Sequence, residues 1–564
     1  MDTVGSGCMS CSIPGMEDAG CIFLFGYNPA DSHPIVARRI VRAKEKGCKI
    51  IVADPRHIET ARIADLYLPI KNGCNVAFLN AFANCLVNDG LYDKEFVAEH
   101  TNGFDEWWET IKNYAPESVQ DITGVEPALI HQAAEMYATA KPSAIIGWGM
   151  GVCQQKQNLK TVHTIASIAC VAGQIGKPNS GLAPVRGQNN VQGSCDMGML
   201  PNLYPGYQKV TDLGHLVDEG KVHCFYNYGE DPVQTEPDSA GMRKTLSELD
   251  LFICQDIFMT QTTMLADVIL PATSWGEHEG VFTASDRSFQ HFDAAVPPKG
   301  ECRHDWEIFA DLSTRMGYPM HYDNTEQIWN ECISLCPNFV GATYEKMAPE
   351  GGYAQWPVKS TDVDDHGTPD MFAGGKFTTK DGRANLMAHD WEAPSELPDD
   401  EYPLILCTVR EVGHYSCRSM TGNCKTLALL ADEPGFVRMN PADAQARGIK
   451  NGDIVSIHSR RGQVYSRADV SDRINKGTVY MTYQWWIGKC NELTMHKVDP
   501  VSHTPEDKFS ACQVDAIADQ VWAEGEVERQ YTELKQALVD AAAPQDVEPG
   551  AAKFDDETHV NQIV

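Results

Sequence analysis

The sequence has few basic residues for its length. Its 564 residues include 46 lysines and arginines against 78 aspartates and glutamates, which gives a formal net charge of −32. Nucleic acids and anionic membrane surfaces are bound by a basic face, and this chain does not have the charge for one. Both are therefore excluded as partners. An anionic ligand must be met by locally placed arginines, lysines and backbone N–H groups.

The sequence also lacks a long apolar run. No segment approaches the roughly 20 apolar residues that cross a bilayer, so we expect no membrane insertion. The N-terminal stretch, MDTVGSGCMSCSIPGMED, has neither the basic start nor the apolar centre of a signal peptide. We therefore expect a cytoplasmic protein.

A second cysteine pair at metal-binding spacing is missing as well. Cys8 and Cys11 form a CxxC pair, but no partner pair follows at zinc or iron–sulfur spacing. The 19 cysteines are an odd number, and many lie inside apolar stretches. This usage indicates buried, reduced thiols, with half of a metal site as the alternative for Cys8 and Cys11.

Strand-like and helical segments alternate through the first two thirds of the chain. Apolar runs at 21–25 and 48–53, joined by a helical segment, indicate a βαβ unit with a parallel sheet, and the pattern resumes at 224–228 and 251–255. Beyond residue 401, short strand-like runs alternate with turns, as in a β-barrel. The pattern predicts an α/β protein with two doubly wound parallel-sheet domains and a C-terminal β-barrel.

Changes in composition along the chain predict four segments. They are a first α/β domain at 1–200, a second α/β domain at 201–400 with elements returning to the first, a barrel domain at 401–541 and an acidic, mobile tail at 542–564.

The most polar stretch is VRGQNNVQG, residues 185–193. Its glycines allow a ligand to approach the backbone, its amides donate and accept hydrogen bonds, and the planar guanidinium of Arg186 matches a carboxylate. The connection at 177–198 is too long for an ordinary loop, so we expect it to be functional. A polar surface turn is the structural alternative, and a surface ion pair is the alternative for Arg186.

Polar side chains follow the predicted strands where each strand ends. Asn28 and Asp31 follow the first strand, and Asp54 and Arg56 follow the second. Because ligands bind at the carboxyl ends of parallel strands, we expect these residues along one rim. Helix capping is the alternative for Asp31. The second half places three polar residues similarly: Asp231, Thr235 and Gln255.

Several segments together resemble the molybdopterin-dependent oxidoreductase family, in particular the catalytic subunits of molybdenum formate dehydrogenases. The resemblance runs from about residue 25 to 508 and is carried, in family order, by FGYNPADSHP, DPRHIETARIAD, WGMGVCQ, PVRGQNNVQGSCDMG, GEDPVQT, QDIFMT, ADVILPATSWGEHEGVFTASDR, TVREVGHYSCRSMTGN and YMTYQWW. The segment GQNNVQG resembles the corresponding segment of the formate dehydrogenase branch of the family. The resemblance also implies that the C-terminal barrel is of the double-psi type.

The resemblance implies two molybdopterin guanine dinucleotides with molybdenum, or tungsten in its place, bound between the α/β domains and capped by the barrel. Arg186 would orient formate during its interconversion with CO2. Barrel packing is the alternative for Tyr483. The residues that the resemblance assigns to cofactor binding are Asn28, Asp31, Asp54, Arg56, Gly73, Met150, Gln154, Gly187, Gln188, Asp231, Thr235, Gln255, Arg410, Glu411, His414, Tyr415, Ser416, Tyr483 and Lys508.

The family also has a cysteine cluster for a [4Fe–4S] centre and a selenocysteine or cysteine, followed by histidine, that ligates molybdenum. In the family both precede the segment that VGSG resembles, and neither Cys8 nor Cys11 lies at the ligand position. We therefore expect this chain to be the C-terminal part of a longer enzyme, with a selenocysteine codon read as a stop. That chain would be inactive alone and would lack the metal ligand.

The resemblance further implies an electron-transfer iron–sulfur subunit or a hydrogenase complex as partner. Two functional alternatives stay open. One is a cofactor-binding or assembly protein without chemistry of its own, and the other is a molybdopterin oxidoreductase that acts on a different substrate.

Overall fold

The computed structural model of the chain describes residues 1–200 and 209–542. The tail predicted at 542–564 lies outside these ranges apart from Ala542. None of the helices in these ranges has the length and apolar content needed to traverse a lipid bilayer.

A five-stranded parallel sheet forms the centre of the first unit, with the strand order β3-β2-β1-β5-β6. The runs CIFLF and AIIGW in β1 and β5 are buried along their whole length, as expected for a parallel sheet covered on both faces. The order reverses between β1 and β5, so a crevice opens at the carboxyl ends of these two strands. The strands of this unit are β1 (Cys21–Phe25), β2 (Lys49–Ala53), β3 (Leu66–Leu68), β4 (Thr101–Asn102), β5 (Ala144–Trp148) and β6 (Gly181–Pro184).

Helices cover both faces of this sheet. The central one is α3, which contacts α5, α7 and α9 and is buried along most of its length. The helices of this unit are α1 (Pro29–Ser32), α2 (Pro34–Glu45), α3 (Asn75–Asn88), α4 (Lys94–His100), α5 (Phe104–Ile111), α6 (Gln120–Thr123), α7 (Pro127–Ala138), α8 (Met150–Cys153), α9 (Asn158–Val171) and α10 (Val191–Asp196).

The stretch 177–198, which the sequence analysis treats as one long connection, contains a strand and a helix that the sequence did not predict. Strand β6 extends the sheet beside β5, and α10 begins after Asn190, whose φ is +60°. The strand is only GLAP, and the helix is mostly polar, so neither has the apolar periodicity by which such elements are recognised.

The second unit has a three-stranded parallel sheet, in the order β7-β8-β9. Its core is formed by apolar residues of the sheet and of the helices packed on it, such as Phe252 and Leu246. Its elements are α11 (Leu213–Asp218), β7 (Cys224–Tyr228), α12 (Pro232–Thr235), α13 (Ser239–Ser247), β8 (Leu251–Asp256) and β9 (Val268–Pro271).

An antiparallel sheet, β10-β11-β12, follows, and the chain then returns to the first unit, where β13 pairs in parallel with β4. The side chain of Trp329 packs edge-on against Phe289 in the core of this region. The elements are β10 (Gly280–Thr283), β11 (Ser288–Phe292), α14 (Asp305–Arg315), α15 (Thr325–Leu335), α16 (Tyr344–Met347), β12 (Ala354–Gln355) and β13 (Ala384–Asn385).

The C-terminal region is a closed six-stranded barrel, in the order β14-β18-β15-β17-β16-β19, and together with the two parallel sheets it confirms the predicted α/β class with a C-terminal β-barrel. Ala523 and Val527 of α19 pack on Ile454 at the outside of the barrel. The sequence did not predict β19. The elements are β14 (Leu404–Val409), α17 (Lys425–Leu430), β15 (Phe436–Met439), α18 (Pro441–Ala446), β16 (Ile454–His458), β17 (Gln463–Val470), β18 (Thr478–Thr482), β19 (Ser510–Ala516) and α19 (Gln520–Ala541).

Candidate functional site

A cleft of about 560 Å³ lies where the first sheet, the second unit and the barrel meet. Segments that follow β1, β2, β5 and β6 line one side, residues near α12 line another, and residues of the barrel and its loops close it. The predicted site residues that line it are Asn28, Asp54, Arg56, Met150, Gln154, Arg186, Gly187, Gln188, Thr235, Arg410, Ser416, Tyr483 and Lys508.

Two glycines, Gly26 after β1 and Gly151 in α8 after β5, allow these segments to meet beside the cleft. A Cβ atom on Gly151 would lie 2.5 Å from the carbonyl oxygen of Gly26, and Gly26 itself has a φ of +54°. Only glycine permits both this backbone conformation and this approach. The contact brings Asn28 and Met150 to the same wall.

Asn28, which lines the cleft, has a buried acceptor without a partner in the described part of the chain. Its Nδ2 donates to Asp31 Oδ2 over 2.6 Å, whereas its buried Oδ1 has no partner among the described residues. Burial, together with the carboxylates of Glu411 and Glu59, raises the pKa of Asp31 to about 7. Asp31 does not line the cleft, and its hydrogen bond orients Asn28.

Asp54 and Arg56 form the next part of the rim. The backbone N–H of Arg56 donates to Asp54 Oδ1 over 2.9 Å, and the Arg56 guanidinium carbon lies 5.4 Å from the centre of the Tyr480 ring. Burial raises the pKa of Asp54. Glu411 lies behind the rim, 4.0 Å from Arg56 Nη1, and accepts a 3.1 Å hydrogen bond from Arg438.

Arg186 lies at the carboxyl end of β6. Its Nε donates to Gln192 Oε1 and its Nη2 donates to the carbonyl oxygen of Gly7, both over 3.0 Å. Within the described ranges no carboxylate oxygen lies within 4.0 Å of the guanidinium, and no acceptor bonds Nη1. The guanidinium therefore keeps unshared N–H groups at a cleft wall.

Barrel residues cover the loop that carries Arg186. Gln188 Nε2 donates to Ser416 Oγ over 3.1 Å, and Arg410 Nη1 lies 3.5 Å from the carbonyl oxygen of Gly187. The Arg410 guanidinium carbon is 5.0 Å from the centre of the Tyr415 ring. Tyr415 therefore supports Arg410 from outside the cleft lining.

Asp507 and Lys508 close the cleft from the barrel. Lys508 Nζ donates to the carbonyl oxygen of Thr408 over 2.8 Å, and burial lowers the pKa of Lys508. Asp507 Oδ2 accepts a 2.7 Å hydrogen bond from Gln154, while its buried Oδ1 has no partner within the described chain. Burial raises the pKa of Asp507 to about 6.

The second unit contributes Thr235 directly, and two other predicted residues lie behind it. Asp231 Oδ1 accepts hydrogen bonds from the hydroxyl and backbone N–H of Thr262, and Gln255 Nε2 donates to Asp305 Oδ1 over 2.6 Å. Neither Asp231 nor Gln255 is among the lining residues of the cleft.

Two further predicted residues hold structure around the site. His414 is 2% exposed, and its ring nitrogens bond Thr421 Oγ1 and the carbonyl oxygen of Ala431. Gly73 has a φ of +79°, and its carbonyl oxygen accepts a 2.8 Å hydrogen bond from Trp391. Neither residue lines the cleft.

Several lining residues were missed by the sequence reasoning. Burial, together with Asp507 and Glu230, raises the pKa of Glu236 to about 8. The signal for Glu230 was its position in GEDPVQT, at a strand exit, whereas Glu236 and Asp507 had no local signal. Asn72 and Asn75 also line the cleft and belong to the segment KNGCN, which the sequence places on the rim without assigning them a role. The missed polar lining residues include Glu230, Glu236, Tyr480, Asn491 and Asp507.

The donor set defines the ligand chemistry. Arg56, Arg186, Arg410 and Lys508 place positive charge along the cleft, which suits the phosphates of an anionic ligand. The unpartnered acceptors Asn28 Oδ1 and Asp507 Oδ1 suit hydrogen-bond donors such as ribose hydroxyls or the amines of a base. These residues fit a phosphorylated, nucleotide-bearing cofactor.

Comparison with protein families identifies the class. Residues 1–315 match the family described as "Molybdopterin oxidoreductase", and residues 404–511 match the "Molydopterin dinucleotide binding domain". The chain belongs to the molybdopterin oxidoreductase family, and its cofactor is a molybdopterin dinucleotide.

Individual relatives narrow the comparison. The chain is 52% identical to "Formate dehydrogenase H" of Escherichia coli (strain K12) over 566 aligned residues, which cover 96% of this chain and 79% of that protein. It is 40% identical to "F420-dependent formate dehydrogenase subunit alpha" of Methanocaldococcus jannaschii over 537 residues, which cover 91% of this chain and 79% of the relative.

A solved structure shares the fold. Acetylene hydratase from Pelobacter acetylenicus superposes with a TM-score of 0.74 at 20% sequence identity, covering 91% of this chain and 80% of that chain. At this identity the likeness concerns the fold alone.

Proposed function

We propose that this chain is the catalytic part of a formate dehydrogenase that converts formate to CO2, or the reverse. The observation that carries the proposal is the Arg186 guanidinium, which lies at the cleft wall with unshared N–H groups and no carboxylate partner in the described chain. The similarity of the chain to relatives named formate dehydrogenases supports formate as the substrate.

The proposed cofactor is a pair of molybdopterin guanine dinucleotides, whose molybdenum, or tungsten in its place, supplies the two-electron acceptor when bound. Arg56, Arg410 and Lys508 would bind its phosphates, while Asn28 and Asp54 would accept hydrogen bonds from a nucleoside. A charge-assisted, two-point contact from Arg186 would contribute about 1.5–3 kcal/mol to holding a formate carboxylate.

The remaining predicted cofactor contacts are part of the same proposal. Gly73, Asp231, Gln255 and His414 would act through the segments that they hold. We also propose the division into α/β domains at 1–200 and 201–400 and a barrel domain at 401–541, electron transfer to an iron–sulfur subunit or hydrogenase complex, and a cytoplasmic location.

Dye-linked formate oxidation by the cofactor-loaded holoenzyme tests this function. Arg186→Gln should lower kcat/KM for formate by about 10- to 100-fold, which corresponds to the lost contact. Arg315→Gln, at an exposed ion pair with Asp311, should leave it unchanged. Bound pterin nucleotide without formate oxidation would favour a binding or assembly protein, and activity on another substrate would favour a different oxidoreductase.

A further inference from the structure

A line of hydrogen bonds connects Arg186 to a carboxylate outside the cleft lining. Arg186 Nε donates to Gln192 Oε1 over 3.0 Å, and Gln192 Nε2 donates to Asp196 Oδ1 over 2.8 Å. The other carboxylate oxygen, Oδ2, accepts a 2.7 Å hydrogen bond from the indole N–H of Trp356. Both oxygens of Asp196 are thus engaged by donors.

The carboxylate fixes which way the Gln192 amide points. A carboxamide has one accepting end and one donating end, and an ionised carboxylate accepts only. Asp196 therefore draws the amide NH2 group toward itself, which leaves the amide oxygen facing the guanidinium of Arg186. Gln192 is 3% exposed, so water does not compete strongly for its orientation.

The position of Asp196 is not explained by its own helix. It is the last residue of α10, at the end where the helix dipole disfavours negative charge. An aspartate at this position does not stabilise the short helix. Its contacts with Gln192 and Trp356 therefore outweigh the helix-dipole preference.

The far end of the line is anchored. Trp356 lies against the fully buried Arg287, whose guanidinium carbon is 5.5 Å from the ring centre. Arg287 donates to the backbone carbonyl oxygens of Met9, Thr368 and Pro369 over 2.8–2.9 Å. Two distant segments of the chain, at residue 9 and at residues 368–369, are therefore bonded to the arginine that packs against Trp356.

We propose that Asp196 is a positioning residue, which through Gln192 holds the Arg186 guanidinium in the orientation that presents its unshared N–H groups to a carboxylate substrate. The inference rests on the proposed formate chemistry of Arg186 and adds a residue to it.

The charge of Asp196 then controls substrate binding. Burial raises the pKa of Asp196 to about 6, and the titratable or charged groups facing it are Arg186, Arg287 and Cys8. A protonated Asp196 donates instead of accepting at Oδ1, which favours the flipped amide and turns its NH2 group toward Arg186. Formate binding should therefore weaken as the pH falls through about 6.

Asp196→Asn in the cofactor-loaded holoenzyme tests the inference. Because the asparagine can donate to Gln192, the KM for formate at pH 8 should rise about tenfold, with a smaller change in kcat. The dissociation constant of nitrite, whose bent O–N–O group matches the carboxylate of formate, should rise similarly when measured by calorimetry on the oxidised holoenzyme. Asp364→Asn, on an exposed loop, serves as the control.

The pH profile separates positioning from a structural role. The KM of the parent enzyme should rise below pH 6, that of Asp196→Asn should stay flat, and one infrared band of a protonated carboxylic acid should vanish in the variant. Trp356→Phe removes a donor to the carboxylate, so it should shift the KM midpoint to higher pH, and it provides a second test where Asp196→Asn folds poorly.

Unchanged KM and nitrite affinity in Asp196→Asn, or an unchanged KM midpoint in Trp356→Phe, would overturn the inference. Arg186→Lys distinguishes this result from a failure of the proposed function. If Arg186→Lys weakens formate binding and Asp196→Asn does not, only the positioning role falls. If neither variant affects formate, the assignment of Arg186 falls as well.

Discussion

The side chain of Gln154 donates a 2.7 Å hydrogen bond to Asp507, a residue 353 positions later in the chain. Gln154 follows α8 beside the first sheet, and Asp507 belongs to the barrel region. The backbone N–H of Lys508 also bonds the carbonyl oxygen of Gln154 over 3.2 Å. The barrel is thus latched to the first unit directly at the cleft.

Gln154→Ala should weaken this latch. The substitution leaves the buried Asp507 carboxylate without its donor, which costs about 1–3 kcal/mol. We expect a lower melting temperature and faster loss of the pterin cofactor. The loss is measured by the pterin fluorescence in the low-molecular-weight fractions after gel filtration. Gln536→Ala, which removes only an exposed contact to Asp540 on α19, should retain cofactor as the parent does. Equal retention in both variants would contradict the latch.

Glu236 should make the cofactor-free protein less stable at alkaline pH. Its pKa, raised to about 8, lies above the unfolded value of 4.5, so its favourable contribution is complete below pH 4.5 and is lost as the pH rises through 8. Glu236→Gln should therefore raise the melting temperature at pH 9 by about 2 °C or more and have little effect at pH 4.5. Thermal unfolding at the two pH values measures this, with Glu350→Gln on an exposed loop as control. A pH-independent effect would refute the assignment.

Gly151→Ala should destabilise the contact between α8 and the loop after β1. Its Cβ would lie 2.5 Å from the carbonyl oxygen of Gly26, a backbone atom that cannot rotate away. We expect a loss of about 1–3 kcal/mol in chemical unfolding, as for other overpacked sites. Gly525→Ala, in α19 with nothing within 4 Å of its Cβ, should be neutral or stabilising. A stable Gly151→Ala protein would show that α8 and the loop after β1 separate readily.

The buried ion pair of Arg418 and Glu433 offers a test of the barrel. Both side chains are at most 4% exposed, and Arg418 also lies 5.0 Å from the centre of the Trp486 ring. Arg418→Met leaves the buried Glu433 charge without its partner and should lower the free energy of unfolding in urea by about 3–5 kcal/mol. The double variant Arg418→Met with Glu433→Gln should recover part of this loss, because no uncompensated charge remains. A double variant as unstable as the single one would attribute the loss to packing.

The sequence predicted the elements whose patterns are local. The runs CIFLF and KIIVA are strands because every position or nearly every position is apolar, and parallel topology then brings Asn28 and Asp54 to one rim. The helix α10 was missed because it has no apolar face toward the core. The Gln192 amide in this helix hydrogen-bonds Arg186 and Asp196 instead. Its assignment needed contacts that no local pattern contains.

Several site residues could not be predicted from the sequence because their roles depend on residues far away along the chain. Asp507 becomes a cleft residue only because Gln154 meets it across most of the chain, and Glu236 acquires its raised pKa from neighbours in space. Asp231 and Gln255 were predicted from the same strand-exit rule as Asn28, but their side chains are taken up by Thr262 and Asp305. Their cofactor contacts stay a prediction.

The short pairing of β4 with β13 sets an order for biosynthesis. Thr101 and Asn102 find their strand partners only at Ala384 and Asn385, so this edge stays unpaired until more than half of the polypeptide has left the ribosome. The first unit therefore cannot complete its folding before residues 384–385 have been synthesised. A nascent chain arrested before residue 384 should remain sensitive to protease near residue 101, and extension beyond 385 should protect it.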